Sequence, residues 1–290
     1  MRILLSSNPY RDKGLKTALE AREILLKSGV DVALTLPFQM KKGDKLSMPP
    51  NVLLSTLSAE LPVADVLVCF GGDGTILHAA RDAVKYQLPI LGVNMGSVGF
   101  MAELERTELS ALARLGKKDY TIEKRMMLEI RHFRGNKLLT SELALNDAVI
   151  SKGSMARVAE VEIYADNTHV TTIMGDGAIF STPTGSTAYS LSAGGSIVEP
   201  SAQCLLMSPI CPHHLAARSI VLAPERTLRV QLPSNSQKYL FLATDGGNPQ
   251  RISSGDYVEI TKSVKETKLI RLTNRSFYQI LNHKLGGASQ

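Results

Sequence analysis

Residues 71–75, with the sequence Gly-Gly-Asp-Gly-Thr, directly follow an apolar run typical of a strand at 64–70 and directly precede a run typical of a helix at 76–85. Glycine lets a backbone turn sharply and lie close to a polyanion, and the exposed N–H groups at the start of a helix favour negative charge. A strand-to-helix turn of this composition therefore predicts phosphate chemistry.

Asp73 is the unusual residue of this turn, because phosphates repel a carboxylate. The carboxylate is useful there if a magnesium ion lies between the two, or if it accepts a proton from an attacking hydroxyl, and both roles belong to phosphoryl transfer. The alternative is a glycine-rich turn of any doubly wound domain, with Asp73 as the N-cap of the helix. The stretch lacks the Gly-Lys-Ser/Thr of a Walker loop and the glycine spacing of a dinucleotide fingerprint.

Length and composition limit the classes of protein. A chain of 290 residues favours two domains, and 44% apolar with 21% charged residues is typical of a folded protein. The net charge of +6 suits anionic ligands such as nucleotides, but scattered basic residues and 5% aromatics disfavour nucleic acid. Three cysteines without paired spacing, and the absence of a signal-peptide core or a membrane-length apolar run, predict a cytoplasmic protein without a membrane partner.

The first third of the chain alternates strand-like and helix-like runs, which predicts a parallel sheet with crossover helices. Later runs have the period of two that is typical of half-buried antiparallel strands. We predict an α/β fold, with a Rossmann-like domain at 1–120, a mostly antiparallel β domain at 121–267, and a tail at 268–290 that packs back on the first domain. The predicted strands are 2–6, 30–36, 64–70, 89–94, 121–133, 142–150, 157–165, 178–180, 220–222, 228–232, 239–243, 257–262 and 269–272, and the predicted helices are 15–28, 76–85, 108–115 and 277–285.

A second small-residue segment follows Asp176, where residues 181–195 are mostly Ser, Thr, Gly and Ala. Such residues cannot fill a core, but they bring backbone and hydroxyl groups close to a polar ligand. The alternative is a solvated linker. Ala188 and Leu191 recur at near-helical spacing and Tyr189 supplies an aromatic face, which favours a structured loop that leads into a short helix.

Four motifs together resemble the NAD kinases, specifically the bacterial ATP-dependent form: residues 71–75, 94–100 (Asn-Met-Gly-Ser-Val-Gly-Phe), 145–149 (Leu-Asn-Asp-Ala-Val) and 176–195. The first is shared with lipid kinases of the same superfamily, whereas the last is specific to NAD kinases. The resemblance implies phosphorylation of NAD at the 2′-hydroxyl of its adenosine ribose by ATP with Mg²⁺ or another divalent cation, an NAD-binding β domain, and a homodimer or homotetramer.

The resemblance also implies roles for residues. Asp73 is the proton acceptor for the 2′-hydroxyl, and Asn146 with Asp147 resembles a pair in which the amide contacts the adenine end and the carboxylate orients the nicotinamide-side ribose. Asn-Asp also favours a β-turn, but its apolar neighbours predict a strand. The remaining expected nucleotide contacts are Gly72, Gly74, Thr75, His78, Phe100, Arg157, Asp176, Thr184, Thr187, Ala188, Tyr189, Ser190, Leu191 and Ser192.

Some residues keep an alternative reading. His78 would equally suit a solvated helix surface, and Arg157 would equally suit the edge of a sheet. Met174 stands where many relatives carry a basic side chain, and His213 with His214 is interpreted as a loop near the ligand rather than a zinc site. The alternative functions are a lipid or sphingoid-base kinase, which would need a long apolar groove, and a non-catalytic NAD(H) sensor, which would not need an intact Asp73.

Overall fold

The computed structural model describes residues 1–38, 49, 52–96, 99–153, 158–214, 216–234 and 236–286. In these ranges, strands β1–β16 are Arg2–Ser7, Asp31–Thr35, Val66–Gly71, Ile90–Asn94, Thr121–Arg134, Lys137–Ala144, Asp147–Lys152, Ala159–Ala165, Thr168–Gly175, Gly177–Ser181, Leu205–Ile210, Ile220–Leu222, Leu228–Gln231, Leu240–Thr244, Gln250–Ile252 and Asp256–Arg271. Helices α1–α6 are Lys16–Lys27, Leu57–Glu60, Asp73–Ala83, Ala113–Gly116, Tyr189–Ser192 and Phe277–Gly286, and 3-10 helices occupy Lys13–Leu15, Val84–Tyr86, Arg106–Leu112 and Thr184–Thr187.

The chain divides into two compact units. The first unit contains Met1–Lys124 and Thr267–Gln290, and the second contains Arg125–Glu266. Within the described ranges, no helix has both the length and the apolar composition that crossing a membrane would require.

The first unit is built on a parallel sheet in the order β2-β1-β3-β4, with the end of β16 beside β4. Every residue of β3 is buried, as expected for a strand covered on both faces. Helix α1 packs Ala18, Ala21 and Leu25 into the core of this unit. The carboxyl ends of β1, β3 and β4 lie at one edge of the sheet, which is where open α/β sheets bind ligands.

Helix α3 begins at Asp73, three residues earlier than predicted, so residues 73–75 form its first turn, while Gly71 ends β3. Its N-cap is Gly72, which has no side chain to bond the first N–H groups. The predicted helix at 108–115 is mostly the 3-10 helix Arg106–Leu112, followed by α4. Glu105 and Glu108 form a capping box that starts this 3-10 helix.

The second unit contains an antiparallel six-stranded sheet in the order β12-β11-β10-β7-β14-β15, and further antiparallel pairs β5–β6, β8–β9, β8–β13 and β13–β16. Alternate residues of β7, β8 and β10 enter its hydrophobic core, among them Ile150, Val161 and Phe180. The prediction of a parallel α/β region plus an antiparallel β region is confirmed.

Two strand predictions were wrong, and the first of them concerns the site. The predicted strand 142–150 is interrupted at Leu145 and Asn146, which separate β6 from β7. The apolar neighbours of Asn146 indicated a continuous strand, but the carboxylate of Asp245 binds the backbone there and stabilises the break. The two runs predicted at 257–262 and 269–272 are parts of one long strand, β16.

Candidate active site

Asp73 is fixed by backbone donors. The Phe100 N–H donates to its Oδ2 at 2.8 Å and the Met101 N–H donates to its Oδ1 at 3.1 Å. A Cβ on Gly99 would lie 2.1 Å from Oδ1, so only glycine permits this close approach. Because both oxygens accept charge-stabilising N–H bonds, the carboxylate has a single defined orientation at the start of α3.

A cavity of about 330 Å³ in the first unit is lined by Gly72 and Gly74, the residues on either side of Asp73 in the sequence. A Cβ on Gly72 or Gly74 would meet no atom within 4 Å, so the backbone of the turn is open to the cavity. The cavity is lined by four of the predicted residues, Gly72, Gly74, Thr75 and His78, and by Asn8, Arg11, Pro37, Phe38, Asn94, Met95 and Gly96. Exposed backbone at a helix start, together with a guanidinium and amides, is suited to phosphate.

Asn8, Arg11 and Asn94 were not predicted. Asn8 and Arg11 follow the carboxyl end of β1, and Asn94 ends β4, on either side of the strand that carries the turn. The Asn8 amide donates to Thr75 Oγ1 at 3.4 Å. The signal was available, since residues after neighbouring parallel strands meet at one edge of the sheet.

Phe100 contributes its backbone rather than its ring to Asp73. The ring lies 6.0 Å from that of Phe277, and the Lys284 Nζ lies 4.7 Å from its centroid. Both partners belong to α6.

In the second unit, the break at Leu145 and Asn146 presents Asp147 at the start of β7. The carboxylate of Asp245 accepts the N–H groups of Leu145, Asn146 and Asp147 at 2.8, 2.8 and 3.0 Å. Burial, and then the negative charge of Asp245, raise the pKa of Asp147 to about 7. Asp147 is 6% exposed, so this carboxyl group is held in a site that penalises its charge.

Polar atoms without a protein partner are found beside Asp147. Asn146 Oδ1 and Ser181 Oγ are buried and have no hydrogen-bond partner among the residues that the structure describes. Ser181 pairs directly with Asp147 across β10 and β7, so the two side chains share one face of the sheet. Buried polar atoms normally have partners, which favours a polar ligand at this position.

The segment after β10 is tied to the same break. Thr182 Oγ1 donates to the Leu145 carbonyl at 2.6 Å, and the Thr182 N–H donates to the Asn146 carbonyl at 2.9 Å. A Cβ on Gly185 would lie 2.1 Å from that Asn146 oxygen. The structure thus brings Asn146 and Asp147 together with the start of the 3-10 helix Thr184–Thr187.

The side chains predicted to contact the nucleotide at 184–192 differ in whether they are exposed or already bonded to other residues. The hydroxyl of Thr184 accepts a bond from Arg125 at 3.2 Å, Thr187 Oγ1 donates to the Thr184 carbonyl at 3.3 Å, and Ser190 Oγ lies 3.1 Å from Ser208 Oγ in the core. Tyr189 is 46% exposed. Ser192 is also exposed, and Ala188 and Leu191 are half-buried. The exposed ring of Tyr189 is a free stacking surface, whereas Ser190 supports the fold.

Asp176 forms an ion pair with Lys152 at 2.7 Å, and Met174 is 52% exposed. Lys152 therefore supplies a basic group next to Asp176 in the absence of one at position 174.

The predicted contact Arg157 lies outside the described residues. His213 donates its N–H to the Met174 carbonyl from a loop, and the described residues contain no group of three His, Cys, Asp or Glu side chains placed to hold a metal ion.

Comparisons with known proteins agree with this architecture. Residues 3–120 match the family model of the ATP-NAD kinase N-terminal domain, and residues 145–272 match that of the ATP-NAD kinase C-terminal domain. The NAD kinase of Natranaerobius thermophilus is 37% identical over 287 residues, which cover 99% of this chain and 98% of that protein.

Two solved structures are similar to this one. Yeast NADH kinase complexed with NADH aligns with a TM-score of 0.85 and 27% identity, over 100% of this chain and 89% of that chain. An NAD kinase from Archaeoglobus fulgidus in complex with ATP aligns with a TM-score of 0.74 and 24% identity, over 99% and 98% of the two chains, which shows the same fold. On the matches of both domains and the full-length relatives, this chain belongs to the ATP-NAD kinase family.

Proposed function

We propose that this protein transfers the γ-phosphoryl group of ATP to the 2′-hydroxyl of the adenosine ribose of NAD and releases NADP and ADP. The observation that carries the proposal is the carboxylate of Asp73, which two N–H groups hold at the start of α3 beside an open glycine-rich cavity. A sugar hydroxyl is a poor nucleophile, and a positioned carboxylate accepts its proton as the new phosphorus–oxygen bond forms.

The cavity of the first unit is the proposed place for the phosphates of ATP. The open backbone of Gly72 and Gly74 and the guanidinium of Arg11 stabilise negative charge there, and His78 and Thr75 line the same wall. Phosphoryl transfer depends mainly on positioning and on charge stabilisation, which fixed backbone donors provide without reorganisation.

The second unit supplies the proposed contacts to NAD. The carboxylate of Asp147 accepts hydrogen bonds from the two vicinal hydroxyls of a ribose. The unpartnered Oδ1 of Asn146 accepts a hydrogen bond from an amino group at the adenine end of NAD. The exposed ring of Tyr189 stacks on the dinucleotide. In this proposal the dinucleotide is also contacted by Asp176, Thr184, Thr187, Ala188, Leu191 and Ser192.

The divalent cation enters as part of the substrate, in complex with the phosphates of ATP. In this proposal the phosphates of ATP are the principal ligands of Mg²⁺, and Asp73 acts as the proton acceptor. The homodimer or homotetramer and the cytoplasmic location stay predictions.

The test is product identification. The protein is incubated with Mg-ATP labelled in the γ-phosphoryl group and with NAD. The labelled product is separated by chromatography, and NADP is identified by its reduction to NADPH with an NADP-specific dehydrogenase and that enzyme's substrate. Parallel reactions present diacylglycerol and sphingosine in micelles. Label on NADP alone supports the proposal, and label on either lipid, or none on NAD, contradicts it.

A further inference from the structure

The two N–H groups that hold Asp73 belong to a short segment, residues 99–103, which we call the Asp73-holding segment. Its far end is anchored on β4, because the N–H groups of Glu103 and Leu104 both donate to the Gly92 carbonyl, at 2.9 and 3.1 Å. The position of the Asp73 carboxylate therefore depends on how firmly this segment is held.

The side chain of Glu103 connects this segment to the C-terminal part of the chain. It is 2% exposed, and its carboxylate accepts the Leu272 N–H at 2.8 Å, the Thr273 N–H at 2.5 Å and Arg271 Nη1 at 3.0 Å. Three charge-assisted bonds to a buried carboxylate form a rigid joint.

Arg275 adds a second connection. Its Nη1 donates to the Glu103 carbonyl at 3.1 Å, and its Nη2 donates to both carboxylate oxygens of Glu108 at 2.9 and 3.1 Å. Phe277 and Lys284 then cover the ring of Phe100. Residues more than 160 positions away in the sequence thus surround the segment that holds Asp73.

We propose that Glu103 and Arg275 are positioning residues for the phosphoryl transfer: they hold the Asp73-holding segment, and its Phe100 and Met101 N–H groups orient the carboxylate that accepts the proton. The proposal rests on the role of Asp73 in the proposed function. Neither residue lines the cavity proposed for the phosphates, so their effect on the rate is transmitted through Asp73.

The first experiment compares Arg275→Ala with Arg275→Lys and with Lys268→Ala. Lys268 is a matched control, since it is a cation of the same C-terminal part whose Nζ bonds Gln87, at 3.4 Å, and not the Asp73-holding segment. A displacement of about 1 Å in a catalytic group costs on the order of a hundredfold in rate. We expect Arg275→Ala to lower kcat roughly tenfold to a hundredfold with KM for NAD and ATP within about threefold, Arg275→Lys to recover part of the loss, and Lys268→Ala to match the wild type.

The second experiment separates positioning from a general loss of structure. In an Asp73→Asn background the carboxylate is already absent, so adding Arg275→Ala should lower kcat by less than about twofold. If the kcat losses of Asp73→Asn and Arg275→Ala multiply in the double variant, the positioning role is overturned. A raised KM with unchanged kcat in Arg275→Ala would also overturn it.

Glu103→Gln provides a second variant if Arg275→Ala unfolds, because it keeps an oxygen acceptor for the Leu272 and Thr273 N–H groups. We expect it too to lower kcat and to leave KM nearly unchanged. The wild-type protein is assayed alongside. An active wild type with unaffected variants overturns the positioning role alone, whereas a wild type that forms no NADP overturns the proposed function and the premise with it.

Discussion

Asp73 and Asp147 are both carboxylates in candidate sites, but their surroundings give them different properties. Asp73 is half-buried, and the two backbone N–H groups that it accepts fix the orientation of its carboxylate. Asp147 is buried next to another carboxylate, Asp245, and its pKa is raised to about 7. The first is suited to accept a proton in a fixed direction, and the second to accept hydroxyl groups once it is ionised.

Removal of the Asp147 carboxylate tests its assignment to NAD. We expect Asp147→Ala to weaken NAD binding by about 1–3 kcal/mol, roughly fivefold to 150-fold, because ribose hydroxyls are left unpaired, and to leave ATP binding nearly unchanged. Calorimetric titration of each nucleotide measures both. Weaker ATP binding with normal NAD binding would show that the two assignments have been exchanged.

NAD binding should also depend on pH through Asp147. Its pKa rises from 3.8 to about 7, so below pH 7 the free protein holds this carboxyl group protonated. If NAD binds the ionised form, its affinity increases as pH rises through 7 and levels off above it. Titrations from pH 5.5 to 8.5 with wild type and Asp147→Asn check this, and an unchanged pH dependence in the variant would exclude Asp147 as the titrating group.

The raised pKa of Asp147 also affects the free energy of unfolding, which changes with pH in the opposite direction to NAD affinity. The folded state binds this proton up to about pH 7, whereas the unfolded state releases it near 3.8, so the contribution of Asp147 to the free energy of unfolding falls as pH rises between those values. Asp147→Asn should remove this part of the pH dependence in thermal unfolding of the nucleotide-free protein.

At the scale of elements, the break between β6 and β7 was not predicted from the sequence, and neither were strands β9, β11 and β15. The run at 142–150 contains enough apolar residues to indicate one strand, and its interruption comes from Asp245, 99 residues from Asn146. Long-range hydrogen bonds of this kind leave no local pattern. The parallel strands, by contrast, were predictable, because β3 is a continuous apolar run and the adjacent glycines mark the start of α3.

Asp245 should therefore support the NAD site without touching NAD. Asp245→Asn keeps one oxygen acceptor for the N–H groups at 145–147 and removes the charge next to Asp147. We expect the midpoint of the pH dependence of NAD binding to fall, since the second cause of the raised Asp147 pKa is gone. Asp166→Asn is the matched control, because Asp166 also has a positive φ and accepts a backbone N–H, from Thr227, at the surface. A midpoint that stays in place in Asp245→Asn, or moves equally in Asp166→Asn, would contradict the account.

At the scale of the whole molecule, the two units carry different parts of the proposed chemistry. The first unit contains Asp73 and the cavity proposed for the phosphates of ATP, and the second contains Asp147 and the small-residue segment after β10. The sequence motifs predicted this division because each depends on local composition. They could not indicate Glu103 or Arg275, whose contacts depend on the return of the C-terminal part to the first unit.

The most direct measurement of the central claim is the turnover of the intact protein with Asp73→Asn beside the wild type, at saturating Mg-ATP and NAD, with NADP as the product measured. The account predicts that the wild type forms NADP and that the variant, which folds and binds both nucleotides, loses on the order of a hundredfold or more in kcat, the range expected for a general base. Near-normal turnover by Asp73→Asn would contradict it.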